Sequence, residues 1–354
     1  MTHVKLIYND DSDEGQATSP QDIAAQASAV VAIEDALRSE GFPVSVIPLK
    51  TTDRATLDIV VREIKAGGGF IVFNLCEGVF GKSSLEMHVA ALFELYGARF
   101  TGSGPLTLGL SLDKGLTKDV LRARGVPTAD YCIMTDPSEV AERFNPGLKF
   151  PLIVKPLHED ASIGIGPGSV VKTVTELRER VVFVTREFNQ PAIVEEYIDG
   201  REFNIAVFGN GAEARAFPAS EIEFDDFPPG SPKICCYEAK WVEGSPFYKK
   251  TKPVCPANIP AELNDKLSAI ALDAYAIMGC RDYARVDMRL GADGKIRVLE
   301  VNPNPDISPD AGFARAAKAA GMGYPKFIAE IVFAAQKRYG QIQAHNPATG
   351  GLHV

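Results

Sequence analysis

The chain has 354 residues, 45% hydrophobic and 23% charged, with a formal net charge of −9. That composition excludes a disordered, collagenous or disulfide-scaffold protein. The acidic balance argues against sequence-independent nucleic-acid binding, which needs a basic surface to release counterions. No run approaches the roughly 20 apolar residues of a membrane span. No basic segment leading into an apolar one opens the sequence. Neither a nucleic acid nor a membrane is therefore expected as a partner, and the expected compartment is cytoplasmic. The six cysteines (Cys76, Cys132, Cys235, Cys236, Cys255 and Cys280) contain no C-x-x-C pair and no metal-ligand spacing with the five histidines. Reduced, mostly buried thiols are expected.

In chain order, HVKLIY (3–8) reads as a buried strand. After a polar loop, Ser19 is placed as an N-cap and Pro20 as N1 of a helix running to about Glu40, with Gly41 at C′. VSVIPL, a helix around 53–66 and GFIVFNL follow. This β-α-β-α-β alternation predicts a parallel sheet with helices on its faces, an N-terminal Rossmann-like domain over residues 1–108. A helix is expected over 113–125, a strand at FPLIVKP (150–156), and a helix at about 175–188. AIVEEYIDG is a strand and turn, and REFNIAVFGNG opens a hairpin at Asn210-Gly211. Residues 218–257 carry many prolines and little periodicity. A helix at 261–278, two strands in RDYARVDMRL and KIRVLEVN, and a helix at 324–338 complete the expectation, with the tail from Gly340 frayed.

Two familiar motifs fail. GKSS (81–84) resembles the end of a P-loop, but the required glycine five residues earlier is Cys76. Gly164-Ile-Gly166-Pro-Gly168 is glycine-rich without being G-x-G-x-x-G, and it lies far from the first strand. The stronger signal is a set of charges at strand ends. Lys155 ends an apolar strand and is followed by Glu159, Ser162 and small residues, which let backbone N–H groups approach an anion. Glu195 and Tyr197 share one face of their strand, and Glu202 follows the turn. Arg285 and Asp287 share a face of ARVDMRL, and Glu300 and Asn302 share a face of VLEVN. A short turn joins these two strands, so they should be antiparallel neighbours. Asp287, Glu300 and Asn302 then offer hard oxygens suited to Mg²⁺, and Arg285 could neutralise a phosphoryl group in transfer. The alternative is an exposed charge ladder.

These residues resemble the ATP-grasp ligases, and within them the D-alanine–D-alanine ligases. The similarity runs from about FNLCEG (73–78) to AAKAAG (316–321). It passes in order through YGARFTGSGPLTLGLSLDKGLTK, FPLIVKP, EDASIGIG, VEEYIDGREFNIAVF, YEAKW, CPA, CRDYARVDMRL and VLEVNPNP. It implies an α/β ATP-grasp fold behind the N-terminal domain, with a central subdomain at 109–192, a C-terminal one at 193–340, and a tail at 341–354. The implied cofactors are ATP and Mg²⁺, with Mn²⁺ as an alternative metal. Lys114 and Lys155 would bind ATP phosphates, and Glu195 the adenine amino group. Tyr197 and Ile198 would supply backbone contacts at the adenine edge, Leu299 an apolar wall, and Glu202 an acceptor for the ribose hydroxyls. Ser162 would cap phosphate, and Lys240 would close on the γ-phosphate from a mobile loop. Asp287, Glu300 and Asn302 would hold two metal ions, and Arg285 would stabilise the acyl-phosphate step.

The implied activity is an ATP-dependent ligase joining a carboxylate to an amine, with amino acids or small peptides as substrates and a homodimer as one arrangement. The alternative is a phosphotransferase that stops before ligation. The resemblance breaks where substrates sit. The family's N-A-L-H-G is Asn-Leu-Cys76-Glu77-Gly, its G-E-D-G is Gly81-Lys82-Ser83-Ser84, and one loop serine is Ala161. Its tyrosine after the loop lysine is Trp241, and its later glycine and serine fall at Asp306 and Ala311. Glu77, Lys82, Glu86 and Asp306 are therefore candidate substrate-reading residues, and the product is not necessarily D-Ala-D-Ala.

Overall fold

The computed structural model describes residues 1–10, 20–50, 53–142, 147–224, 227, 230–242 and 244–345. The expected N-cap Ser19 lies outside them. β1 (Val4–Asp10), α1 (Pro20–Ser39), β2 (Val44–Lys50), α2 (Thr56–Lys65) and β3 (Ile71–Leu75) build a parallel sheet of order β2-β1-β3. Both faces are covered, as parallel strands require. Val4 and Leu6 join a core with α1, while Ile7 points into a second core with Val60 and Ile64 of α2. Gly41 takes φ +86°, and its N–H donates to Arg38 O, closing α1.

Next come α3 (Glu86–Leu95), α4 (Pro105–Leu112) and α5 (Lys114–Ala123), the last capped by the Asp113 carboxylate accepting from Leu116 N. β4 (Tyr131–Met134), α6 (Glu139–Glu142), β5 (Leu152–Pro156), β6 (Val170–Val171), α7 (Val174–Glu187) and β7 (Ala192–Glu196) follow. Their strands form an antiparallel sheet of order β4-β7-β5-β6, covered on one face by α7 through Leu177, Val181 and Val184. β7 belongs to this sheet, and residues 197–199 lead from it into the next.

β8 (Gly200–Phe208), β9 (Arg215–Ala216), β10 (Ser220–Phe224), α8 (Tyr237–Trp241), α9 (Pro246–Lys250) and β11 (Thr251–Val254) come next. They are followed by α10 (Ala261–Ile277), β12 (Tyr283–Gly291), β13 (Ile296–Asn302), α11 (Gly312–Ala319) and α12 (Tyr324–His345). The third sheet runs β11-β10-β8-β12-β13, with β9 paired to β8. One face packs on α10 through Phe203, Ile205, Ala284, Val286 and Met288. On the other face, Ala206, Phe208 and Tyr283 meet Phe313 of α11 and Phe327 of α12 in the same core as Val4 and Leu6. Beyond that apolar half, the face turns polar. The proline-rich stretch 218–257 thus contains strands and short helices, and α12 continues through Gly340 to His345 where a frayed tail was expected.

Candidate active site

The polar half-face is built by register. Asp287 stands opposite both Glu300 and Asn204, Arg285 opposite Asn302, and Arg289 opposite Glu202. Arg285 grips Asp287 with two parallel bonds, Nε to Oδ1 and Nη2 to Oδ2, both 2.8 Å. Asn204 Nδ2 donates to Asp287 Oδ1 at 2.7 Å. Asn302 Nδ2 makes longer contacts, 3.2 Å to Asp287 Oδ2 and 3.4 Å to Glu300 Oε1. Strict alternation along β13 would send Val298 to the same side as Glu300. A bulge prevents this: Asp287 pairs with Glu300 and the adjacent Met288 with Val298, leaving Leu299 as the extra residue. Ile296, Val298 and Val301 all enter the core under α10, and half-buried Leu299 stays out of it.

The facing wall is the open side of the four-stranded sheet. Glu195, 1% exposed, is held between Lys155 Nζ at 2.9 Å and Lys118 Nζ at 3.1 Å. Burial pushes the Glu195 carboxyl up, but the two ammoniums outweigh it and hold the carboxyl down at about 2. Burial in turn pulls the Lys118 ammonium down, opposed by Glu195. Tyr197 N–H donates to Pro151 O, and Ile198 O accepts from Arg289 Nη1 at 2.7 Å. Glu202 Oε2 accepts from Arg289 Nε at 3.1 Å and Nη2 at 2.8 Å.

Two loops complete the cleft. In the glycine-rich loop, Ala161 and Ser162 have positive φ, and Gly164 sits so close to the Pro156 and Phe188 rings that a Cβ would lie 2.7 Å from the proline. Ser162 Oγ donates to Cys235 O at 2.8 Å, fastening this loop to the segment leading into α8. Ile234, Cys236 and Ala239 of that segment pack with Ile153, Ile165 and Tyr197. Lys114 Nζ donates to Glu159 O and lies 3.5 Å from Asp160 Oδ1. Burial pushes the Glu300 carboxyl up, yet Lys114, Lys240, Arg285 and Lys155 together hold it at about 2. Charges from both sheets, from α5 and from α8 therefore meet at Glu300. Asp287 moves the other way, raised by burial against the pull of Arg285.

Asp287, Glu300 and Asn302 form a hard-oxygen set of two carboxylates and one amide. That set fits a magnesium ion, which keeps water and phosphate oxygens as further ligands. Turning the Asn302 amide to present Oδ1 gives up only its two long contacts.

The substrate-reading candidates divide. Glu86 Oε1 accepts from Asn304 Nδ2 at 3.0 Å, and Asn304 also bonds Cys76 O and the Tyr283 hydroxyl. Burial, with Glu77 and Asp160 nearby and the Asn304 bond opposing, raises the Glu86 carboxyl to about 8. Glu77 N–H donates to Asn9 Oδ1. Exposed Asp306 accepts from Ser308 N and Oγ, and its charge reaches Arg285. Lys82 is exposed on the turn pairing Val79 with Lys82 and makes no ion pair among the described residues. Its backbone closes against Gly78, next to Glu77.

Sequence reasoning missed Arg289, Asn204, Asn304 and Lys118. Arg289 was readable, since it extends the alternation of Arg285 and Asp287. Lys118 also had a signal, lying four residues after Lys114 on the buried face of α5. Burial pushes the Cys235 thiol beside the cleft up to about 12, against thiolate formation.

The family model described as the D-ala D-ala ligase C-terminus matches residues 120–333. An uncharacterised protein of Sinorhizobium fredii is 37% identical over 269 residues, 76% of this chain and 75% of its own. A D-alanine–D-alanine ligase of Bordetella petrii is 32% identical over 291 residues, 81% of each. The ATP-bound crystal structure of D-alanine–D-alanine ligase from Bacillus anthracis superposes with a TM-score of 0.72 at 21% identity, covering 97% of this chain and 100% of that one, which establishes the ATP-grasp fold. With a family model over more than half its length and a relative of this identity and coverage, the chain belongs to the D-alanine–D-alanine ligase family of ATP-grasp carboxylate–amine ligases.

Proposed function

We propose that this chain joins the carboxylate of one amino acid or small peptide to the amine of another, using ATP and passing through an acyl phosphate. The observation that carries the reading is the convergence of Lys114, Lys155, Lys240 and Arg285 on Glu300, beside Asp287 and Asn302. A carboxylate is a poor electrophile, and phosphorylating it concentrates negative charge that such a cation array offsets. Asp287, Glu300 and Asn302 would hold Mg²⁺, which would neutralise phosphate charge when bound.

Within the cleft, Glu195, Tyr197, Ile198 and Leu299 would border the adenine, and Glu202 would accept from the ribose. Lys114 and Lys155 would contact phosphates, and Ser162 would fix the loop over them. Lys240, on the segment tied down by Ser162, would reach the transferring phosphoryl group. The substrate carboxylate attacks γ-phosphorus as the bond to ADP breaks. The amine then attacks the acyl carbon and loses a proton, and phosphate leaves. A closed loop keeps water from the acyl phosphate. The Glu77–Glu86–Asn304 group and Asp306 lie where family substrate residues differ, which supports a product other than D-Ala-D-Ala. The cytoplasm is the proposed compartment.

The test is a panel of amino acids and dipeptides offered in pairs with ATP and Mg²⁺. ADP should appear only with a productive acid–amine pair, and the product mass should equal the sum of the pair less one water. A phosphorylated acceptor as the final product would instead support the phosphotransferase.

A further inference from the structure

We propose that Arg289 is a positioning residue that couples ribose recognition by Glu202 to closure of the segment entering α8; this rests on the nucleotide reading of the cleft. Arg289 is 3% exposed, and its guanidinium joins three separate parts of the chain. It donates twice to Glu202 Oε2, at 3.1 and 2.8 Å, leaving Oε1 without a protein partner among the described residues. It donates to Ile198 O at 2.7 Å, at the turn between the two antiparallel sheets. It also donates to Lys233 O, which the Tyr197 hydroxyl bonds as well at 3.1 Å. The Tyr197 and Phe224 rings flank the guanidinium, with centroids 5.3 and 5.8 Å away.

The planar fork explains the residue type. A lysine could neutralise Glu202 but could not hold two carbonyls and a carboxylate in one plane. With Oε2 committed to Arg289, the oxygen left for a ribose hydroxyl is fixed as Oε1. The same guanidinium anchors the carbonyl of Lys233, two residues before the Cys235 carbonyl held by Ser162. Loading the ribose site therefore steadies the start of the segment that carries Lys240.

Two readouts test this on the full chain with Arg289→Met and Arg289→Lys, each first shown to melt cooperatively. The first is calorimetric affinity for ATP against 2′,3′-dideoxy-ATP. The wild type should prefer ATP by about ten-fold, the worth of one charge-assisted hydrogen bond, and both variants should lose most of that preference. The second is tryptic cleavage after Lys233, whose scissile carbonyl Arg289 holds. It should be slow in the wild type, slower with ATP, and several-fold faster in Arg289→Met, with cleavage elsewhere unchanged. If either readout stays at its wild-type value in both variants, the coupling is overturned. A wild type that binds no ATP overturns the nucleotide reading and this proposal with it.

Discussion

At Glu300 the opposing terms can be weighed. Burial alone would favour the neutral acid, but four cations keep it ionised, with the carboxyl at about 2. An anionic, metal-binding carboxylate is what the proposed chemistry uses. Glu300→Gln should lower turnover on the order of 10²–10³-fold, the several kcal/mol a metal contributes, with an unchanged circular-dichroism spectrum; near-normal turnover would remove Glu300 from the metal site. Glu195 gives a stability prediction. Its carboxyl is lowered from 4.5 to about 2 in the folded state, so its contribution is fully present above pH 4.5 and is lost as pH falls through 2. Urea midpoints of wild type and Glu195→Gln should differ most near neutrality and converge between about pH 4.5 and 2. A gap that widens on acidification would contradict the lysine clamp.

Among the elements, β13 best separates what the sequence discloses from what it conceals. The facing of Glu300 and Asn302 followed from two-residue alternation, and their pairing with β12 from the short turn. The bulge at Leu299 did not, because nothing local in VLEVN marks it; it arises where Val298 must reach the core under α10 while Glu300 stays in the cleft. Two substitutions test it. Val298→Asp should destabilise by about 4 kcal/mol or more, burying an unpaired charge. Leu299→Asp should keep the fold in thermal melts and weaken nucleotide binding by fluorescence titration. Equal destabilisation by both would mean that Leu299 is a core residue. β10 and β11 were hidden for a related reason. Their stabilisation comes from pairing with β8 and each other, and prolines at 218, 253 and 256 mask any local strand pattern.

Across the whole molecule, Asp282 ties distant pieces together. Fully buried and at φ +65°, it accepts from Gly102 N at 2.8 Å, Asn210 Nδ2 at 2.7 Å, and Arg338 Nε and Nη2 at 3.1 and 2.9 Å. It joins the segment between α3 and α4, the β8–β9 hairpin, the entry to β12 and α12. Asp282→Ala should cost about 3–5 kcal/mol in urea unfolding, since Arg338 keeps a buried charge without its partner; a loss under 1 kcal/mol would show that α12 docks by apolar contact alone. The overall architecture was legible because strand–helix alternation and ordered charged strand ends are local patterns. α11, the reach of α12 past Gly340, and the Asp282 hub depend on contacts far apart in sequence. The central claim, an activated acyl phosphate, is tested most directly by trapping. With ATP, Mg²⁺ and the carboxylate substrates, hydroxylamine should divert the reaction to a hydroxamate formed in step with ADP. ADP release accompanied by a stable phosphorylated acceptor and no hydroxamate would contradict it.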